Sequence, residues 1–200
     1  PSSRACPAEA GESPHPSTED AWPWATEEQE QVFAETGPAT GTAAVAAALT
    51  LGVVDGFNSG IGGGCFMLIR KPDGTFVTID GRETAPLKAS RDMFLRNDKA
   101  DPKLSRTGAL AIGAPGALAA YDFAIREHGN IDLAEHLGQA ATIAEEGFAL
   151  DKGYLRRLGQ AVEKLRQFPD SARIFLDPDG NAWPSGHQLK QPDLARSYRK

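Results

Sequence analysis

The alternation of apolar and polar residues predicts a buried helix followed by a β-hairpin. Residues 42–49 are alanine-rich and apolar, which favours a tightly packed helix that Gly52 ends. Two apolar runs, 66–69 and 75–79, flank a Pro-Asp-Gly turn within residues 71–74, and this arrangement predicts a β-hairpin. Because the first run is apolar throughout, we expect it to be buried on both faces.

The second half of the chain is predicted to be helical. Apolar residues recur there at helical spacing, and capping residues mark the boundaries of the helices. Asp132 and Asp151 are suitable N-caps, and Gly129 and Gly147 are suitable ends. Pro192 suits the first turn of a last helix, and residues 177–180 form a turn.

The first 41 residues differ from the rest. Residues 1–40 contain six prolines separated by polar residues, and this composition buries too little apolar surface to order itself well. We therefore expect residues 1–41 to form a flexible or divergent leader, with a short helix at 27–35. Residues 42–200 form the predicted folded domain.

Composition excludes several function classes. The chain has 200 residues, 40% of them hydrophobic, and a formal net charge of −6, which argues against nucleic acid as a partner. Its two cysteines, Cys6 and Cys65, are too few for a disulfide framework and lack metal-ligand spacing, so we expect no metal and no cofactor. No apolar run is long enough to span a membrane, and no signal-peptide pattern is present.

The glycine run at residues 60–64 is the most unusual local feature. Gly60 and Gly62 match the start of a dinucleotide fingerprint, but Cys65 occupies the third glycine position and no P-loop lysine follows. The run also follows a predicted helix and precedes a strand, the reverse of the nucleotide-binding order. We therefore interpret it as a tight crossing between the two elements.

Arg82 is the strongest candidate for ligand binding. It follows the second predicted strand, where a side chain points into whatever cleft lies at the sheet end, and its planar fork suits a carboxylate. The alternative is an ordinary surface pair with Asp80 or Glu83. Cys65 is interpreted as a small hydrophobe, and the residues alone present no complete catalytic set.

Several segments, in the same order, are similar to the γ-glutamyltranspeptidase family. The similar segments are 43–68 (AAVAAALTLGVVDGFNSGIGGGCFML), 78–86 (TIDGRETAP), 111–116, 144–148 and 191–195. Together the resemblance covers about residues 42–200. It identifies the chain as the N-terminal part of the family's large subunit. Cys65 departs from the family, which usually has a small residue there.

The resemblance implies an α+β fold, the N-terminal-nucleophile hydrolase αββα sandwich, incomplete in this chain. It implies a precursor that cleaves itself, so that a threonine at the start of the small subunit becomes the nucleophile for γ-glutamyl transfer or hydrolysis. No threonine here is followed by threonine or histidine, so we expect that nucleophile downstream and this chain alone to be inactive.

The resemblance also assigns residues and partners. Arg82 matches the arginine that binds the α-carboxylate of the γ-glutamyl group, and Glu83 is expected to orient it. The expected partners are a small-molecule γ-glutamyl substrate, an acceptor amino acid or water, and the small subunit of the same precursor. Family members are commonly periplasmic or secreted, and the compartment of this chain stays open. The alternatives are a related acylase, such as a cephalosporin acylase, and an inactive truncated binding module.

Overall fold

The fold is organised around a helix that is buried on several sides. The structure, a computed structural model, describes residues 40–71 and 73–200. Its first helix, α1 (Thr40–Val54), carries Val45, Leu49 and Val53, all with 0% exposure. The predicted leader and the helix predicted at 27–35 lie outside the described residues, except that residues 40 and 41 belong to α1.

The chain combines helices with antiparallel pairs of strands, as expected of an α+β protein. The elements after α1 are β1 (Cys65–Arg70), β2 (Phe76–Gly81), β3 (Leu95–Arg96), β4 (Lys99–Ala100), a 3₁₀ helix (Ala109–Ala111), α2 (Ala117–His128), α3 (Leu133–Glu146), β5 (Phe148–Ala149), α4 (Lys152–Leu165), α5 (Pro169–Phe175), β6 (Gln188–Leu189) and α6 (Pro192–Tyr198). Within the described residues the strands form three two-stranded antiparallel sheets. No helix in the same residues is long and apolar enough to cross a membrane.

The predicted boundaries of the later helices are confirmed. The Asp132 carboxylate accepts from the Ala134 amide at 3.2 Å at the start of α3, and the Asp151 carboxylate accepts from the Tyr154 amide at 2.6 Å at the start of α4. Gly147 ends α3 at φ 91°, a value that favours glycine. The short helix α5 and the two-residue strands were not predicted.

The predicted end of α1 at Gly52 is wrong, because this glycine serves packing. A methyl group at Gly52 would lie 2.7 Å from the Tyr198 hydroxyl oxygen, so the missing side chain admits the tyrosine of α6. Tyr198 donates a hydrogen bond to the Leu49 carbonyl at 3.4 Å. Gln191 Nε2 donates to the Val53 carbonyl at 2.9 Å. Gln191 therefore satisfies one of the unpaired carbonyls at the end of α1, and Tyr198 adds a second hydrogen bond to a carbonyl one turn earlier.

The predicted hairpin is confirmed in place. β1 and β2 pair from Cys65 opposite Gly81 to Arg70 opposite Phe76. At the turn, Asp73 accepts hydrogen bonds from the Thr75 amide and hydroxyl at 2.9 and 2.7 Å. Gly74 adopts φ 85°, which explains the glycine of the Pro-Asp-Gly turn.

The prediction that β1 is buried on both faces is wrong. Ile69 is 6% exposed and faces the core, whereas the side chains that alternate with it face outward. Phe66, Leu68 and Phe76 are 70%, 66% and 61% exposed, and together they form what we call the outer hairpin face. Among the described residues no layer covers this face. Burial along β1 therefore alternates with a two-residue period, as in a sheet that is covered on one face only.

α2 connects the helical core to the hairpin. It contacts α1 on one side and β2 on the other, and α3 packs between α1 and α6. The interface of α3 is made of Ala140, Ala141 and Ala144, all at most 1% exposed, so these helices approach closely. The close contact between α2 and β2 fixes the end of β2, where Arg82 follows.

Candidate functional site

Arg82 lies directly after β2, as the sequence predicts. Its backbone N–H donates to Asp80 Oδ1 at 2.9 Å, which fixes the turn away from the strand. Its side chain is 66% exposed, and its Nε lies 3.3 Å from Glu83 Oε2. No other side chain of the described residues pairs with the guanidinium, so its terminal nitrogens stay available to a ligand.

The side chain of Glu83 points into the protein, whereas that of Arg82 points toward solvent. Its Oε2 is buried and accepts no hydrogen bond from the described residues. The surface pairing considered for Arg82 is therefore present, and it is made to a carboxylate oxygen that is buried on a side chain that is 31% exposed as a whole.

The glycine run makes room for Glu83. A methyl group at Gly64 would lie 2.6 Å from Glu83 Oε2, 2.7 Å from the Gly81 carbonyl oxygen and 2.8 Å from the Glu83 amide nitrogen. Real side-chain carbons do not approach other atoms so closely, so only glycine fits there. Gly60 and Gly62 have no atom within 4 Å of such a methyl group. The predicted crossing between helix and strand is confirmed. Within it, the missing side chain of Gly64 leaves the space that the Glu83 carboxylate occupies.

A second glycine segment closes the same site. The Gly63 carbonyl accepts hydrogen bonds from the amides of Gly116 and Ala117, both at 3.1 Å, at the start of α2. A methyl group at Gly116 would lie 2.4 Å from the Gly81 carbonyl oxygen and 2.8 Å from that of Arg82. Thr84 and Ala114 exchange backbone hydrogen bonds at 3.1 and 2.8 Å. We call Arg82, Glu83 and these surrounding glycines the strand-end site.

The structure brings the predicted residues Arg82 and Glu83 together, and their predicted roles stay predictions; the sequence did not indicate Gly64 and Gly116 as their neighbours. The sequence did contain a signal: Gly64 is the last glycine of the run at residues 60–64, and Gly116 directly precedes the predicted helix that begins at Ala117. Sequence alone did not place both against β2.

Cys65 is not an activated nucleophile. It is the first residue of β1 and is half-buried. Burial, followed by the negative charge of Glu83, raises the pKa of the Cys65 thiol, which disfavours the reactive thiolate. The interpretation of Cys65 as a small hydrophobe agrees with this environment.

The strand-end site can bind an anion but holds no complete catalytic set. An exposed guanidinium presents a planar fork that matches a carboxylate, and the partly buried Glu83 contacts its Nε. None of the hydrogen bonds and ion pairs that hold the site involves a histidine of residues 40–71 or 73–200. The geometry therefore favours recognition of a carboxylate.

The chain is similar to known γ-glutamyltranspeptidases. The sequence profile of the family described as "Gamma-glutamyltranspeptidase" matches residues 25–200. The chain is 44% identical over 153 residues to glutathione hydrolase 2 of Arabidopsis thaliana, covering 76% of this chain and 26% of that protein. It is 34% identical over 157 residues to the glutathione hydrolase proenzyme of Escherichia coli K12, covering 78% of this chain and 27% of that protein.

Solved structures show the same fold. Helicobacter pylori γ-glutamyltranspeptidase superposes with a TM-score of 0.80 at 34% identity, over 86% of this chain and 49% of that one. The cephalosporin acylase from Bacillus halodurans superposes with a TM-score of 0.71 at 22% identity, over 86% of this chain and 32% of that one, which shows the fold alone. The chain thus has the α+β fold of N-terminal-nucleophile hydrolases, and it spans about a quarter of the length of the curated relatives it matches.

Proposed function

The chain belongs to the gamma-glutamyltranspeptidase family, and we propose that the full-length protein that carries it transfers or hydrolyses γ-glutamyl groups. The proposed substrates are glutathione and other γ-glutamyl amides. The observation that supports this most directly is the exposed guanidinium of Arg82, whose direction is fixed by the partly buried Glu83. A γ-glutamyl group carries a free α-carboxylate, which such a fork recognises.

In the proposed reaction Arg82 binds the α-carboxylate and Glu83 positions Arg82. The hydroxyl of a threonine at the start of the small subunit attacks the γ-carbonyl carbon, and its own α-amino group takes the proton. Backbone amides stabilise the oxyanion, and the amine leaves with a proton. Water then releases glutamate from the γ-glutamyl-enzyme, or an acceptor amine forms a new γ-glutamyl amide.

The proposed macromolecular partner is the small subunit of the same precursor. The outer hairpin face supports this, because three large apolar side chains stand together on a two-stranded sheet that is open to an additional layer. Curated relatives named proenzymes agree with a processed precursor. We propose that the remainder of the protein covers this face.

The first test replaces Leu68 with threonine in the full-length protein. If the outer hairpin face is covered there, Leu68→Thr is expected to lower the free energy of unfolding by about 1–2 kcal/mol, because it loses buried apolar area and adds a buried hydroxyl. Chemical denaturation measures the change. Phe123→Gln on the outward side of α2, where Phe123 is 41% exposed, is the control. A Leu68→Thr effect below about 0.5 kcal/mol would place this face in solvent and contradict the proposal.

The second test is activity. The full-length protein is expected to release p-nitroaniline from γ-glutamyl-p-nitroanilide, and the 200-residue chain alone is expected to release none, because it lacks the proposed threonine. Absorbance of p-nitroaniline measures both. Glutaryl-p-nitroanilide lacks only the α-amino group, and faster release from it would favour the acylase alternative. Hydrolysis by the isolated chain would contradict a nucleophile beyond it, and a full-length protein without activity would favour a binding module.

A further inference from the structure

A cavity lies away from the strand-end site. It has a volume of about 290 Å³ and is enclosed by the end of α1, the turn at residues 55–58 and the start of α4. Leu51, Val54, Phe148 and Tyr154 provide apolar walls, and none of the lining residues belongs to the strand-end site. A cavity of this size is at the small end of the range for ligand pockets, which is about 300–1,000 Å³.

Asp55 provides an acidic wall in a position unfavourable for a carboxylate. It follows the last residue of α1, where the helix presents the negative end of its dipole. It is half-buried, and burial raises the pKa of Asp55, although the Asn58 amide and the charge of Arg157 act in the opposite direction. Asn58 Nδ2 donates at 3.3 and 3.4 Å, and no ion pair within the described part of the chain involves Asp55. A cation in the cavity would compensate this charge.

The start of α4 provides a basic wall. Arg156 and Arg157 both line the cavity, and neither forms an ion pair with a described residue. The Arg157 guanidinium carbon lies 5.9 Å from the centre of the Phe57 ring, so this cation stands over an aromatic face. Asp151 also lines the cavity, but its carboxylate already accepts the Tyr154 amide as the N-cap of α4. The basic side chains are therefore the ones available to an anion.

Aromatic rings provide much of the apolar surface of the cavity. Phe57 and Tyr154 meet edge to face, with ring centres 5.5 Å apart, and Phe148 meets Tyr154 in the same way at 5.8 Å. The cavity thus offers an anion, a pair of cations and an apolar surface within a small volume. A ligand that satisfies all three carries an ammonium, a carboxylate and an apolar group.

We propose that this cavity binds a free α-amino acid with an apolar side chain. The ammonium group lies against Asp55, the carboxylate faces Arg156 and Arg157, and the apolar side chain contacts Phe57 and Tyr154. This site is separate from the proposed γ-glutamyl site and does not depend on the proposed activity.

L-Phenylalanine is the probe, and isothermal titration calorimetry with the full-length protein is the measurement. We expect saturable binding of L-phenylalanine. Phenylethylamine lacks the carboxylate and 3-phenylpropionate lacks the ammonium, so each is expected to bind roughly tenfold more weakly, since one charge-assisted contact is lost. Absence of binding by the folded protein, or equal binding of all three compounds, would overturn the proposal.

Substitutions in each site distinguish binding in this cavity from binding at the proposed γ-glutamyl site. Asp55→Asn and Arg157→Met are each expected to weaken L-phenylalanine binding roughly tenfold. Asp179→Asn, an exposed turn residue, is the control and should leave binding unchanged. Arg82→Ala should also leave it unchanged. Binding that is lost in Arg82→Ala but retained in Asp55→Asn would assign the amino acid to the γ-glutamyl site and overturn the second site.

Discussion

Replacing Arg82 with alanine in the full-length protein is expected to lower kcat/KM for γ-glutamyl-p-nitroanilide by about 30- to 140-fold. This range corresponds to the loss of about 2–3 kcal/mol from a charge-assisted contact with the substrate carboxylate. The guanidinium is exposed, held by Glu83 and unpaired at its terminal nitrogens within the described structure, so a carboxylate can reach it. Initial rates across a substrate series provide the measurement.

A second substrate separates carboxylate binding from structural damage. 4-Aminobutanoyl-p-nitroanilide keeps an amine but lacks the α-carboxylate, so the native protein should hydrolyse it poorly and Arg82→Ala should hardly change its rate. Arg91→Ala is the control, because the Arg91 side chain is 94% exposed. An equal loss for both substrates would show that Arg82 supports the fold and does not bind the carboxylate.

Replacing Gly64 with alanine is expected to destabilise the full-length protein by about 3 kcal/mol, the upper end of the usual cost of overpacking. The new methyl group would lie within 2.8 Å of three atoms, two of them in the backbone, so the neighbours cannot simply rotate away. Displacement of Glu83 should also release Arg82, so kcat/KM should fall with stability. Chemical denaturation and initial rates measure the two effects.

Gly62→Ala is a matched control for this prediction. It lies in the same run, but a methyl group there has no atom within 4 Å, so we expect a change within about 0.5 kcal/mol. Equal effects at both positions would mean that the run needs backbone freedom in general. That result would contradict the role of Gly64 as the space for Glu83.

The helix boundaries and the hairpin were predictable because their signals are local. Asp132 and Asp151 were predicted as N-caps from the residues that directly follow them, and both carboxylates accept the expected backbone hydrogen bonds. Gly52 was misread because its partner, Tyr198, is far along the chain. The same limit applies to Gly64, whose purpose is a contact with Glu83 across the fold. Sequence predicted Arg82 as a candidate ligand-binding residue, whereas the glycines that surround it were placed only by the structure.

The burial of β1 was mispredicted for a different reason. An apolar run in a sequence is typical of a strand that is buried in the complete molecule, but it does not identify the elements that cover each face. Ile69 is covered by the helices of this chain, whereas Phe66 and Leu68 are not covered by described residues. The prediction of two-sided burial is therefore wrong for the described residues, and Leu68→Thr tests whether a further part of the full-length protein covers this face.

The attachment of α6 to α1 has a consequence for biosynthesis. The Gln191 side chain that satisfies the Val53 carbonyl is 138 residues away from it in sequence. At a translation rate of about 5–20 residues per second, the ribosome adds Gln191 roughly 7–30 s after Val53. During that interval the end of α1 is without the Gln191 and Tyr198 side chains that donate hydrogen bonds to its carbonyls, so this part of the fold is completed only after α6 has been synthesised.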